Sequence, residues 1–342
     1  MMTLRFTCIA AIFVFTATVG LPRMGWAVGG EGVLVPLENW TVLSDNPPAK
    51  KSPQTPANEV PVAKLPPAVL LVPGMLAGDD TMSAIRLSLR SAKIPTAMFR
   101  YDSQLGADRV ATRLATVLSA EADRLPNRDI VLVTHSMGGV VARCVVESPQ
   151  CQIKNVSDLI MVAPPNSGSS LAALSGADVQ DLLQTFEAAE LKTIVDENSL
   201  GLLNNTLDLF LGNAKKDLSP ESELLLRLSA CQRNPNIKYS IIAGTKAPIP
   251  PLARGIGQLV IGRMIAQNPD AAPGLRKVMA VADRDEWIQG LGDGVVSVKS
   301  TKLPGVADHL TLPFAHRDPS EPLENPATRQ LVDEVMARIP RG

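Results

Sequence analysis

Charges of the two signs are nearly balanced in this chain, which has 33 lysines and arginines, 34 aspartates and glutamates, and a formal net charge of −1. Proteins that bind nucleic acid carry a basic excess or a basic patch that meets the phosphates. Because no such excess is present, the sequence argues against a nucleic-acid partner.

Cysteine and histidine are scarce, with four and three residues among 342. No C-x-x-C pair and no histidine-rich spacing occurs, so no pattern typical of a metal site is present. The acidic run at residues 283–286 is compatible with calcium binding, although such a run is usually a solvated surface. We therefore expect neither a metal nor an organic cofactor.

The first 27 residues differ in character from the rest. Arg5 precedes an apolar stretch over residues 6–21, and Gly25-Trp26-Ala27 follows it. This order is typical of a secretory signal peptide with cleavage after Ala27. The stretch is short for a bilayer span, and an uncleaved membrane anchor is the alternative. The expected location is outside the cell, in the periplasm or in the cell envelope.

Removing this segment leaves Cys144, Cys151 and Cys231 in a compartment that permits disulfides. We expect Cys144 to be a small buried side chain on a helix. Cys151 and Cys231 each follow a helical segment that should end at the same edge of the sheet. A disulfide between these two is the favoured pairing.

Residues 28–67 are rich in proline, with seven prolines between positions 45 and 67 among lysine, serine, glutamine and asparagine. Proline removes backbone donors and disfavours both helices and strand ladders. The segment is therefore predicted to be an extended tether, in its simplest form a disordered N-terminal tail. The main globular domain is expected to span residues 68–342.

From residue 68 onward, short apolar runs alternate with segments of helical periodicity. Strands are predicted at residues 68–73, 96–101, around 130, 158–163, 237–243 and 309–314, and helices at 81–92, 107–125 and after 136. Such alternation predicts an α/β fold, a mostly parallel sheet with helices on both faces. Right-handed crossovers would place the loops after the strands along one rim.

Two helix-rich insertions, at about residues 171–236 and 247–292, interrupt this alternation. Both follow strands that should end near the same rim, which favours a helical cap or lid over that rim. Ordinary packing helices are the alternative. An apolar lid would suit an acyl-chain substrate and would allow peripheral contact with a membrane.

A buried strand pattern runs directly into a serine flanked by small residues, in the sequence DIVLVTHSMGG at residues 129–139. A strand-to-helix elbow holds a nucleophile in a strained conformation that exposes its Oγ, so the residues two before and two after it must be small. Gly138 meets this requirement, and Thr134 replaces the usual first glycine. Ser136 is therefore the predicted nucleophile, and a serine that only caps the next helix is the alternative.

A nucleophilic serine needs a histidine base, and only three histidines are available. His135 adjoins Ser136 and should leave the elbow in another direction. His309 begins the last predicted strand, at the opposite edge of the sheet. His316 follows that strand, on the rim where the loops carry function. We predict His316 as the base, with a structural loop histidine as the alternative.

A serine nucleophile and its histidine base need a third residue, an acid that orients the histidine. Asp293 lies between Gly292 and Gly294, before a short β-rich run and upstream of His316. The alternative interpretation is that Asp293 only forms an Asp-Gly turn. With Ser136 and His316 as partners, Asp293 is the predicted acid.

Acyl transfer also needs backbone donors for the developing oxyanion. One is predicted to be the N–H of Met137, at the positive end of the helix after Ser136. The other is predicted to be the N–H of Met75, in the glycine-containing loop after the first strand of the domain.

Taken together, the motifs resemble the lipase and esterase branch of the α/β-hydrolase superfamily, including bacterial lipases and inositol-deacylase-like relatives. The segments that carry the resemblance are VPGM at 72–75, THSMGG at 134–139, APPNSGS at 163–169, GDGVV at 292–296 and Ala315-His316. The order Ser, Asp, His is that of this superfamily. Pro73 stands where many relatives have histidine.

This resemblance implies an α/β-hydrolase fold and a serine hydrolase that cleaves carboxylic esters of lipids or other small acyl compounds without a cofactor. Two other functions remain open. An acyltransferase would use the same triad with an alcohol in place of water. A non-catalytic envelope protein would use the rim or the apolar lid for binding.

Overall fold

The computed structural model describes residues 32–37, 65–75, 80–125, 127–149, 153, 155–174, 213–247 and 251–341. The predicted signal peptide, most of the predicted tether and the leucine-rich middle of the first insertion lie outside these residues. Among the helices described, none is long and apolar enough to cross a membrane.

A seven-stranded sheet occupies the centre of the domain, with the strand order β1-β3-β2-β4-β5-β6-β7. Among the strands described, only β1 runs antiparallel to its neighbour. The strands are β1 (Val33–Pro36), β2 (Leu65–Val72), β3 (Thr96–Arg100), β4 (Arg128–His135), β5 (Val156–Val162), β6 (Lys238–Gly244) and β7 (Asp308–Leu312). The mostly parallel sheet predicted from the alternating pattern is confirmed.

Helices cover both faces of the sheet. They are α1 (Ser83–Ser91), α2 (Ala107–Arg124), α3 (Met137–Val146), α4 (Asn213–Leu218), α5 (Glu223–Ala230), α6 (Pro251–Gln267), α7 (Ala272–Ala282), α8 (Val298–Thr301) and α9 (Pro326–Arg338). The apolar residues of α2 and α3 pack with Leu70 and Leu132 on one face. Those of α1 and α9 pack with Val131 and Val133 on the other.

β4 is the central strand, paired in parallel with β2 on one side and β5 on the other. Its residues 130–135 are all buried, since successive side chains point into the two helical layers. This explains why a continuous apolar run, not an alternating one, precedes Ser136. Because β2, β4 and β5 run parallel, their carboxyl ends meet at one rim.

The predicted tether differs from the structure at both of its described parts. Val33–Pro36 forms β1, which pairs with β3 from Val33 opposite Arg100 to Pro36 opposite Ala97. β2 also begins three residues early, at Leu65. Pro36 is tolerated because it ends β1, which is an edge strand, and Pro66 and Pro67 lie where the pairing of β2 with β4 shifts register, between Leu65 and Ala68. For these residues the prediction of a tether outside the sheet was wrong.

The predicted disulfide between Cys151 and Cys231 is not formed. Cys231 is a free thiol, and its Sγ lies 3.4 Å from the carbonyl oxygen of Arg227, one turn back in α5. Its side chain therefore folds onto its own helix. Cys151 itself lies outside the described residues. Cys144 on α3 is also free, and burial raises the pKa of its thiol to about 12.

A buried ionic network joins the helix after Ser136 to three other segments. On α3, the guanidinium of Arg143 donates to Glu147 (3.0 Å), to the side chain of Asn166 after β5 (3.1 Å) and to the carbonyl of Leu228 on α5 (3.2 Å). Asn166 then donates to the carbonyl of Thr301 on α8 at 2.7 Å. The network fixes α3 relative to the loops that follow β5 and β6.

We expect Glu147→Ala to lower the free energy of unfolding by about 3–5 kcal/mol, because it leaves the Arg143 charge buried without its carboxylate. Asp108→Ala is the matched control. It removes an ion pair with Arg227 in which both side chains are more than half exposed, at 52% and 61%, and it should cost less than about 1 kcal/mol. Urea unfolding measures both values. Equal losses would contradict the role assigned to the buried pair.

Candidate active site

Ser136 occupies the turn between β4 and α3 in a strained backbone conformation, with φ 51° and ψ −128°. Residues other than glycine rarely adopt a positive φ, and such a conformation typically costs about 1–3 kcal/mol. The N–H of Ser136 donates to the carbonyl of Val162 on β5 at 2.9 Å, which helps to hold the turn. The side chain makes no capping hydrogen bond to α3, so its Oγ is available for another partner.

Close packing around the elbow accounts for the small residues that follow Ser136. A Cβ on Gly138 would lie 2.2 Å from the carbonyl oxygen of Val72. This contact with backbone cannot relax by a side-chain movement, so α3 can begin at this place only with glycine there. Thr134 is fully buried, and its hydroxyl donates to the carbonyl of Ile160 at 3.4 Å. A threonine is thus accommodated where related motifs have glycine.

Ser136, His316 and Asp293 lie together in a chain of two hydrogen bonds. The Oγ of Ser136 is 2.9 Å from Nε2 of His316, and Nδ1 of His316 is 2.7 Å from Oδ2 of Asp293. All three residues are buried, with relative exposures of 7%, 8% and 3%. The three residues predicted from the sequence therefore meet at one rim of the sheet.

The carboxylate of Asp293 is held by its own turn. Its Oδ1 accepts the N–H groups of Val295 at 3.0 Å and Val296 at 2.8 Å, while its carbonyl accepts the N–H of His316 at 2.9 Å. Gly294 has φ 102°, a conformation that glycine allows. The Asp-Gly turn and the contact with His316 thus coexist, because each uses a different oxygen of the carboxylate.

His316 lies in a short loop after β7 that Asp318 closes. The carboxylate of Asp318 accepts the N–H of Ala315 at 2.8 Å, and the N–H of Asp318 donates to the carbonyl of Ala315 at 2.9 Å. His309, within β7, instead contacts the hydroxyl of Thr301 through Nε2 at 2.9 Å. The structure thus separates the two histidines as the sequence order predicts.

His135 does not contact Ser136 Oγ but supports the loop of His316. Its Nε2 lies 3.0 Å from the carbonyl oxygen of His316, and the two rings are 4.7 Å apart. A carbonyl only accepts, so Nε2 carries the proton. Burial, followed by the effect of His316, lowers the pKa of His135 to about 3, so its imidazole is neutral. Sequence reasoning placed His135 away from Oγ but gave no sign of this contact.

Stability should fall on acidification because of His135. Its pKa is about 3 in the folded protein and about 6.5 when unfolded, so only the unfolded chain gains this proton as the pH drops below 6.5. Between pH 7 and pH 5 we expect a loss of about 2 kcal/mol from this residue. Urea unfolding of wild type and His135→Asn across this range isolates the effect, since the carboxylates contribute equally to both. Parallel pH profiles would contradict it.

The loop after β2 passes directly against the serine. A Cβ on Gly74 would lie 2.9 Å from Cβ of Ser136, and Met75 is the next residue. Met137 is the first residue of α3, where N–H groups have no partner within the helix. The hydroxyl of Tyr101, just after β3, donates to the carbonyls of Pro73 at 2.6 Å and Gly74 at 3.2 Å. Sequence reasoning treated Tyr101 only as the end of a strand.

The described parts of the two insertions are helical, but residues 175–212 are outside the described range. In the second insertion, Arg254 on α6 bonds Asp283 after α7 at 2.8 Å, and Leu252 and Leu259 on α6 are 78% and 77% exposed. In the acidic run, Glu286 accepts bonds from Ser170, at 2.8 Å from both N–H and hydroxyl. Among the described residues, no cluster of three or more metal-ligating side chains occurs.

The chain is similar to one protein family model and to several solved structures. Residues 105–236 match the PGAP1-like alpha/beta domain. Phospholipase PlaB from Legionella pneumophila aligns with a TM-score of 0.54 and 17% identity over 81% of this chain and 60% of its own. The chain has the α/β-hydrolase fold. The fold and the resemblance expected from the sequence are thus confirmed.

Two further solved structures are similar to this chain at lower scores. The mature lipase BlEst2 from Bacillus licheniformis aligns with a TM-score of 0.48 and 18% identity over 80% of this chain and 94% of its own. The metagenomic carboxyl esterase MGS0156 aligns with a TM-score of 0.48 and 20% identity over 84% and 80%. No curated protein matches the sequence.

Proposed function

We propose that this α/β-hydrolase is a serine hydrolase that cleaves carboxylic esters, with lipid or other acyl esters as its substrates. The observation that carries the proposal is the chain of hydrogen bonds from Ser136 Oγ through His316 to Asp293, at 2.9 Å and 2.7 Å. These are the contacts that activate a serine hydroxyl for acyl transfer. The strained backbone at Ser136 is consistent with such a role.

In this mechanism, Ser136 Oγ attacks the ester carbonyl while His316 Nε2 takes the hydroxyl proton. Asp293 holds Nδ1 and stabilises the imidazolium that forms. The N–H groups of Met75 and Met137 are assigned to the oxyanion of the tetrahedral intermediate. His316 then gives the proton to the leaving alcohol, and the acyl group stays on Ser136. A water molecule, deprotonated by His316, hydrolyses this acyl-enzyme to the free acid.

The triad can be tested with a fluorophosphonate probe, which labels an activated serine. We expect the wild type to be labelled and Ser136→Ala and His316→Asn not to be. Asp293→Asn should lower kcat for an activated ester by about 10⁴-fold, because the imidazole loses its orienting partner. His309→Asn is the matched control, since His309 contacts Thr301 instead of Ser136, and it should keep wild-type activity. An unlabelled wild type would refute the proposal.

The lipid part of the proposal rests on the cap expected from the sequence, of which α6 would be part. Leu252 and Leu259 are seven residues apart on α6 and therefore lie on one side of it, and α6 carries no acidic residue. An apolar cap of this kind would shelter an acyl chain and would contact a lipid surface. The fold is shared with PlaB, whose name is that of a phospholipase. These observations favour long acyl groups over short ones.

A series of p-nitrophenyl esters tests the acyl preference. We expect kcat/KM to rise from acetate toward octanoate and longer chains, by up to about fourfold for each methylene that becomes buried, since each contributes about 0.8 kcal/mol. A flat or purely short-chain profile would refute a lipid substrate.

The same assay with dilute methanol separates hydrolysis from acyl transfer. A methyl ester formed at the expense of the free acid would indicate an acyltransferase.

A further inference from the structure

Tyr101 joins the end of β3 to the loop that follows β2. The two strands are parallel neighbours, with Leu71 opposite Met98, so both chains leave the sheet at the same rim. The ring of Tyr101 stacks on Phe99 at a centroid distance of 5.6 Å. From this position, its hydroxyl reaches the carbonyls of Pro73 at 2.6 Å and Gly74 at 3.2 Å. The stacking on Phe99 thus holds the Tyr101 hydroxyl against two successive peptide units.

The second of these peptide units contains the N–H of Met75. A peptide unit is planar and trans, so its C=O and N–H point in opposite directions. Fixing the direction of the Gly74 carbonyl therefore fixes the direction of the Met75 N–H. In addition, a hydrogen bond accepted by the carbonyl polarises the peptide and strengthens its N–H as a donor.

The loop needs such a restraint because of Gly74. Any Cβ at this position would lie 2.9 Å from Cβ of Ser136, so the close approach requires glycine. Glycine, however, has the freest backbone of all residues and does not fix the orientation of the next peptide. Pro73, before it, has a locked φ and no N–H of its own to bond. A contact from outside the loop is what can hold the Met75 peptide in place.

We infer that Tyr101 is a positioning residue that orients the N–H of Met75 toward the oxyanion. This inference rests on the proposed function, because it assigns Tyr101 a part in stabilising the tetrahedral intermediate. Tyr101 touches no reacting atom and acts only through the loop backbone. Burial also raises the pKa of its phenol, which keeps the hydroxyl a donor throughout the neutral and mildly alkaline range.

Tyr101→Phe removes the hydroxyl and keeps the ring. We expect kcat for a p-nitrophenyl ester to fall about tenfold, part of the loss expected from deleting a whole oxyanion donor, with KM changed less than about twofold. The Ki of a trifluoromethyl ketone, which forms a tetrahedral adduct with the serine, should rise by the same factor as kcat falls. The Ki of a non-hydrolysable ether analogue should not change, because it develops no oxyanion.

Tyr239→Phe is the matched control, since Tyr239 is the only other tyrosine and its hydroxyl contacts Asn234. It should leave kcat and both Ki values at wild-type levels. An unchanged kcat in Tyr101→Phe would overturn the inference. So would equal losses in kcat and in binding of the ether, because these indicate a general structural role. Failure of the proposed function is distinguishable, since the wild type would then not react with a fluorophosphonate at all.

A second measurement decides the question even if Tyr101→Phe does not fold. In the Tyr239→Phe protein, fluorinated tyrosines supplied in the growth medium replace Tyr101 alone and retain its hydroxyl with graded acidity. We expect kcat to rise with the acidity of the phenol, by up to about twofold, as the bond to the carbonyls strengthens. The Ki of the ether should stay constant. A kcat that does not respond to the acidity would overturn the inference.

Discussion

The positive φ of Ser136 is the constraint from which the geometry of the site follows. A residue with a Cβ stays in that conformation only if its surroundings leave no alternative. Here β4 is bonded on both sides up to the serine, by Val72 opposite Thr134 and by His135 opposite Val162. Beyond it, α3 begins with Gly138 pressed against the Val72 carbonyl. The strand cannot continue and the helix cannot shift, so Oγ projects from the rim.

Parallel strands and close backbone contacts also position the partners of Ser136. Gly244, at the end of β6, would place a Cβ 2.7 Å from Cβ of Asp293 and 2.6 Å from the carbonyl oxygen of Phe314. A side chain there would push apart the loops of Asp293 and His316. The bond from the N–H of His316 to the carbonyl of Asp293 then joins these loops directly. The close approach of these two loops therefore requires glycine at position 244.

Local sequence signals predicted the parts of the site that depend on local structure. A buried run ending in a serine predicts the elbow, because strand and turn are decided within about ten residues. His316 and Asp293 followed from chain order and from the rule that strand ends share a rim. The contacts of Tyr101 and His135 are made to backbone carbonyls of distant segments. No residue pattern specifies such contacts, so the sequence alone could not predict them.

The errors at β1 and Cys231 have the same origin. Four residues before a proline-rich segment become a strand only because β3 offers them an edge, which is decided by pairing across more than sixty residues of chain. Whether a cysteine at the end of a helix faces a partner or its own last turn depends on a side-chain direction that spacing does not encode. In both cases the deciding contact is non-local.

The pairing of His135 with His316 links the stability of the fold to the proposed chemistry. Acyl transfer would place a positive charge on His316, and a second positive charge at the 4.7 Å ring separation would oppose it. At an effective dielectric constant of 20, that repulsion amounts to about 3–4 kcal/mol. Burial, which keeps His135 neutral, removes this repulsion and leaves an N–H that holds the His316 backbone. Because the same burial keeps His135 neutral in the folded protein, the stability of the fold depends on pH at the residue next to the serine.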